Sequence, residues 1–369
     1  GYHGASVEEI CTEASVDRSI FDALFADKYE LFREVALATT FALLRATDGL
    51  EGTDPRQART TLARVIEQSV TVTIATRATG GFYRSEYRYL TRPDAEILSE
   101  QIGELRRRIR EPLMLHRPEL TEFDANLLAA AAQSIIASIT IHETSLPAPK
   151  LQTLLTVTAM RLLDSEPATS DPHNWVATIP MWQSDTSEAG RILAAAVDLY
   201  YEQGFQAVTL DDVAASAGIP RDAVDRHYAT ASDLLSTACL RGYESLESDT
   251  QRAIASTGSP GDRLGALTCA YVRHYFADHK VMSIYLADAR SLDDRNRRSM
   301  LALQEESVQR WTNAIMDARP ELSSVEAVFL AFAALSLVSD LGRLVRWNDD
   351  EIIKAKIERC TRTVMALVR

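Results

Sequence analysis

Four cysteines in 369 residues, Cys11, Cys239, Cys269 and Cys360, are too few and too scattered for a CxxC pair, a zinc-ligand spacing or a disulfide framework. That usage fits a reducing cytosol. Long apolar runs are also missing. No stretch approaches the roughly 18 consecutive apolar residues of a membrane span. Leu127–Ile141 and Val325–Val338 are the most apolar, and Gln133, Ser134, Ser138, Glu326 and Ser336 interrupt them, as suits buried helices of a bundle. Excess positive charge is absent: the formal net charge is −13, unfavourable for a partner built of phosphates. No strand alternation flanks an Asn-Gly or Asp-Gly pair, and neither GxGxxG nor GxxxxGK[ST] occurs, so nucleotide-binding folds have no support. None of the seven histidines follows a Glu-x-x spacing, and HExxH and Gly-x-Ser-x-Gly are missing. These absences remove the helical di-metal carboxylate site and the common hydrolase motifs, so neither an enzyme nor a metal or cofactor is expected.

What is present is a repeat. Residues 1–34 align with 204–237 at an offset of 203: Gly1 with Gly204, Tyr2 with Phe205, Ala14 with Ala217, Arg18 with Arg221, Asp22 with Asp225, Phe25 with Tyr228 and Leu31 with Leu234. At an offset of 202, Arg88, Leu90 and Arg108 meet Arg290, Leu292 and Arg310, and Arg117-Pro118-Glu119-Leu120 returns as Arg319-Pro320-Glu321-Leu322. Ordered matches at near-constant offset read as a duplication. Ser165–Ser187, with Pro167, Pro172 and Pro180, reads as the linker, and Trp175 and Trp182 within it are expected to dock on a folded surface.

The rest reads as helix. Ser6-Val-Glu-Glu9 and Thr209-Leu-Asp-Asp212 look like capping boxes. Pro220 suits a first helical position. In the second copy Thr209–Ser216 forms a short helix, Ala217-Gly218-Ile219 a turn and Pro220–Arg226 a second helix, which is the helix-turn-helix pattern. The first copy runs Ser6–Glu13, Ala14-Ser15-Val16 and Asp17–Ala23.

These residues carry a resemblance. Leu199–Thr209 resembles the first helix and loop of the TetR/AcrR regulators, Asp212–Ile219 their second helix and turn, His227-Tyr228 the end of their recognition helix, and Asp233-Leu234-Leu235 the start of their fourth helix. Gly1-Tyr2-His3, Ala14-Ser15-Val16, Phe25 and Asp27-Lys28-Tyr29-Glu30-Leu31 match the same pattern. The resemblance implies an all-α chain of two such units, each a helix-turn-helix DNA-binding domain followed by a helical ligand-binding and dimerisation domain. The expected bounds are 1–45, 46–164, linker 165–187, 188–247 and 248–369. The family's opening helix corresponds to Glu188–Gln203 and has no counterpart ahead of the first copy, so Val7, Ile10, Phe21 and Phe25 are expected to lack a cover. An upstream helix, or linker residues, would supply one.

The resemblance further implies DNA contacts from Ser6, Arg18, Ser19 and Lys28 in the first copy and Thr209, Arg221, Arg226 and His227 in the second. Departures from the pattern are acidic. Asp22 and Asp225 stand where the family has an aromatic, and Ala231 replaces the cation found as Lys28. The second copy has the more regular recognition helix. Glu122–His142 with Lys150–Asp164, and Ser324–Leu344 with Asp350–Val368, correspond to the family's paired dimerisation helices. An intramolecular pseudo-dimer, rather than a homodimer, on a non-palindromic operator follows. Phe82, Tyr83, Tyr87, Ile102 and Leu105, and Tyr271, Tyr275, Ile284, Tyr285 and Trp311, are candidate linings for a small hydrophobic ligand, with Arg84, Arg88 and Arg290 nearby. Ordinary core or surface is the competing account of each. A cytoplasmic repressor released by an apolar molecule is expected. The alternative is a TetR-like sensor or protein-interaction module with lost or weakened DNA binding.

Overall fold

The computed structural model describes residues 2, 4–50, 52, 54–81, 86–170, 185–255, 257–288 and 292–365. Trp175, Trp182, Phe82, Tyr83, Arg84 and Arg290 lie outside the described residues. Helices and short 3-10 turns are the only regular elements among those described. The chain divides into two compact units, 1–164 and 165–369.

The first unit holds α1 (Val7–Glu13), α2 (Arg18–Leu24), α3 (Lys28–Ala46), α4 (Ala58–Ala75), α5 (Arg77–Gly80), α6 (Arg92–His116), α7 (Glu122–Ala137) and α8 (Ala148–Leu163). Side-chain caps start several of them: Ser6, Asp27 and Thr121 each accept from a backbone N–H in the first turn. Glu122–His142 is not one helix, because α7 tightens into a 3-10 turn at Ser138–Ile141.

The second unit holds α9 (Glu188–Gln203), α10 (Leu210–Ala217), α11 (Arg221–His227), α12 (Ala231–Ile254), α13 (Pro260–Ala277), α14 (His279–Asp288), α15 (Asp294–Ala318), α16 (Ser324–Leu344) and α17 (Glu351–Val364). Along α9, Ile192, Leu193, Ala196, Val197 and Tyr200 recur at helical spacing and are fully buried. They join Val213, Ala223, Val224, Leu234 and Leu235 in one core, so α9 clamps the two short helices onto α12.

The first unit differs at this point. No helix precedes α1 among the described residues, and Val16, Ile20 and Leu24 are 38%, 46% and 66% exposed. Their counterparts Ile219 and Ala223 are buried in the second unit. Val7, Ile10 and Phe25 are half-buried, but Phe21 is buried, its ring 5.5 Å from Phe25. The exposed apolar residues therefore lie on the Val16–Ile20–Leu24 side, and Phe21, expected to lack a cover, is buried.

Two helices, Glu122–Thr140 and Ser324–Leu344, are long and apolar enough to cross a membrane, but most of each is buried inside the protein. In the second unit the chain leaves α16 through Arg346 and Trp347, both with left-handed backbone (φ 52° and 55°). Trp347 N–H donates to the Gly342 carbonyl at 2.8 Å. The indole fills the space a Cβ at Gly342 would need, so glycine is required there.

Candidate nucleic-acid interface and effector pockets

In the second unit Thr209 caps α10: its Oγ1 accepts from Asp212 N–H at 3.2 Å, and Thr209 N–H donates to Asp212 Oδ2 at 2.8 Å. The Thr209 hydroxyl also donates to Asp212 Oδ2 at 2.6 Å, and this bond, followed by the one from Thr209 N–H, holds the Asp212 carboxyl below its ordinary range. Gly218 then reverses the chain with φ 65°, and Ile219 N–H returns to Ala214 O at 3.0 Å. Pro220 is the N-cap of α11 rather than its first helical residue, because its ψ of 147° is still extended. Ala223 and Val224 anchor α11 inward, and Asp222, Asp225 and Arg226 stay exposed.

Each cation on α11 meets an acid. Arg221 Nε lies 3.3 Å from Asp211, and its Nη1 is ion-paired with Asp225. Arg226 reaches Asp222 at 3.2 Å and Glu188 at 3.5 Å. His227 Nε2 is 3.0 Å from the same Glu188, so this end of α11 is tied back to the start of α9.

The first unit repeats the plan. Ser6 caps α1 reciprocally with Glu9, whose carboxyl the Ser6 backbone N–H and hydroxyl hold below its ordinary range. Arg18 donates from Nε to Asp22 at 2.8 Å and from Nη1 to Glu8 at 2.6 Å, and the Asp22 bond raises the guanidinium above its usual range. Ser19 is exposed beside it. Lys28 turns inward: its Nζ donates to Ala5 O at 2.8 Å and sits 4.8 Å from the Tyr2 ring centroid. The left-handed turn residue here is Ser15, φ 56°.

Comparison with known proteins places the second unit. Residues 192–237 match the bacterial regulatory proteins of the tetR family, and residues 257–351 match the tetracyclin repressor-like C-terminal domain.

The second unit belongs to the TetR family.

Both matched stretches lie in the second unit. No curated protein matches the chain. Among solved structures it is similar to a TetR-family regulatory protein from Rhodococcus RHA1, at 26% identity over 48% of this chain and 98% of that one, TM-score 0.42. It is also similar to the ketosteroid transcriptional regulator KstR2 of Mycobacterium tuberculosis, at 21% identity over 49% of this chain and 94% of that one, TM-score 0.43. A third is the fatty acid degradation regulator FadR of Bacillus halodurans, at 15% identity over 49% and 96%, TM-score 0.43. The TetR helix-turn-helix is therefore α10 and α11, and the C-terminal domain of the family runs through α13–α16.

The candidate pocket residues fare unequally. Tyr271, Tyr275 and Trp311 come together, with ring centroids 5.6 Å (Tyr271–Tyr275) and 5.5 Å (Tyr271–Trp311) apart. All three are buried, and burial pushes the Tyr271 phenol well above its ordinary range. Ile284 is buried and Tyr285 packs on the core of α9–α12. Sequence reasoning missed Trp347, which stacks on Tyr275 at 5.5 Å. In the first unit Tyr87 is 47% exposed, and Ile102 packs against the cluster of Phe32, Leu37, Leu90 and Leu98. A cavity of about 350 Å3 lies further along α6, lined by Thr47, Leu50, Gly52, Val65, Arg108, Glu111, Pro112, Met114 and Leu115. Residues three, four and seven apart on a helix share a face, so Arg108 and Pro112 could have been read from Leu105.

Proposed function

We propose that the protein is a DNA-binding transcriptional regulator built from two fused TetR-type units, the second of which provides the stronger DNA-reading surface. The observation that carries this reading is the α10–α11 motif: two short helices clamped by α9, with Thr209, Arg221 and Arg226 on the accessible side. Membership of the first unit rests on the sequence repeat and on shared local structure. Capping boxes open α1 and α10, the turn residues Ser15 and Gly218 are both left-handed, and Arg117–Glu119 and Arg319–Glu321 each close at 2.8 Å.

The two units together supply two unequal recognition helices, and we take them as an intramolecular pseudo-dimer on a non-palindromic operator. The apolar side of the cavity beside α6, Leu50, Val65, Pro112, Met114 and Leu115, suits a small hydrophobic effector whose binding releases DNA. A cytoplasmic regulator meets both its DNA and such an effector.

Acids beside every α11 cation favour a second reading, a sensor with weakened DNA binding. Selection of genomic fragments at 50 and 200 mM salt separates the two. A regulator enriches specific fragments and loses affinity steeply with salt; a sensor enriches none. Sedimentation of this chain as an obligate dimer would exclude the pseudo-dimer.

A further inference from the structure

Arg18 and Arg221 occupy equivalent positions, and each is held by two acids, one on its own helix and one on the preceding helix. In the first unit these are Asp22 and Glu8; in the second, Asp225 and Asp211. Both acids repeat at the offset of 203 that relates the arginines. Around them the recognition helices have diverged: Ser19, Ala23 and Leu24 face Asp222, Arg226 and His227.

In the first unit Nε and Nη1 donate to the acids; in the second Nη1 donates to Asp225 and Nε lies 3.3 Å from Asp211, and in neither does Nη2 hydrogen-bond to another described residue. Two flanking carboxylates leave the trio with a net charge of −1, which a phosphate would repel. The uncharged edge of a base carries no such penalty. A guanidinium held flat by acids loses less rotamer freedom on binding, and its remaining Nη donors match the O6 and N7 acceptors of guanine in the major groove.

We propose that Arg18 and Arg221 are the base-reading residues of the two recognition helices, each selecting guanine, and that Glu8, Asp22, Asp211 and Asp225 are positioning residues that aim them. The inference rests on the regulator reading above. It turns acids that argue against DNA contact into part of the recognition device.

The test uses the full chain and a randomised duplex pool, followed by affinity and salt-slope measurements on selected sites. The wild type enriches guanine at one position in each half-site. Arg18→Met and Arg221→Met keep an unbranched stem but remove the donors, and lose roughly 5- to 150-fold discrimination at that position. Asp22→Asn and Asp225→Asn lose part of the same discrimination with a log–log salt slope unchanged or steeper. Methionine variants that keep the guanine preference, or an Arg→Ala series that weakens all sequences alike and lowers the slope by about one, overturn the inference alone. A wild-type chain that enriches no sequence overturns both it and the regulator reading.

Discussion

Ser15 and Gly218 stand at the same point of the two helix-turn-helix motifs, and both hold a left-handed backbone, at φ 56° and 65°. Glycine adopts this region without strain, and a side chain costs about 1–2 kcal/mol there. Ser15→Gly is therefore expected to stabilise the first unit by about 1 kcal/mol, and Gly218→Ser to destabilise the second by a similar amount. Chemical denaturation of the full chain reads both, and equal midpoints for wild type and Ser15→Gly would refute the expectation.

His142 gives the first unit a pH dependence. Burial, with the Arg77 guanidinium beside it, pushes the imidazole down to about 3. The unfolded ring titrates near 6.5, so between those values the unfolded state binds more protons. Its stabilising contribution is complete above about pH 6.5 and is lost as the pH falls towards 3. Glu104, held at about 2 chiefly by its hydrogen bond from Arg107, adds a second loss only below about 4.5. Between pH 6 and 5 the expected slope from His142 is at most about 1.4 kcal/mol per pH unit. Urea unfolding at pH 7, 6 and 5 should show it in the wild type and a flatter line in His142→Gln.

His274 Nδ1 lies 2.9 Å from Asp249 Oδ2, and both residues are buried between α12 and α13. Asp249 also holds Arg252. Asp249→Ala strands the imidazole without its partner, at an expected cost of about 1–3 kcal/mol. The double variant Asp249→Ala/His274→Ala should cost less than the sum of the two single variants, as a double-mutant cycle by denaturation would show. Strict additivity would mean that the contact contributes nothing.

The two Arg-Pro-Glu-Leu turns have diverged in weight. Arg117 is 6% exposed and donates to Leu163 O at 3.0 Å as well as to Glu119, so it joins the start of α7 to the end of α8. Arg319 is more exposed and pairs with Glu321. Arg117→Ala should cost about 1–3 kcal/mol, and Arg319→Ala under about 1 kcal/mol. A larger loss at Arg319, measured by the same unfolding experiment, would reverse this ranking.

Local signals were legible wherever one helix decides the outcome. The Glu188–Gln203 and Ser324–Leu344 bounds follow from capping residues and apolar spacing, and the Ser6 and Thr209 capping boxes form as their spacing implies. The pairs Arg18–Asp22 and Arg221–Asp225 could have been read from i,i+4 spacing. Glu8, Asp211 and Glu188 could not, because they meet their cations across a turn or from another helix. The lining of the cavity beside α6 was not fully legible either: Arg108, Pro112 and Leu115 line it, while Tyr87 is 47% exposed.

The sequence by itself determined the all-helical character, the repeat at offsets of 203 and 202, and the helix-turn-helix with its glycine turn, because caps, periodicity and left-handed positions are local properties. Only the tertiary structure decided which charges meet, which aromatic rings pack into a core and which apolar residues stay uncovered. Leu24 and Tyr275 are both large and apolar on helices, yet one is 66% exposed and the other wholly buried. The difference lies in what packs against each: α9 has no counterpart ahead of α1 among the described residues, and Trp347 folds back onto Tyr275 from beyond α16. Burial depends on neighbours distant in sequence, and no local pattern records them.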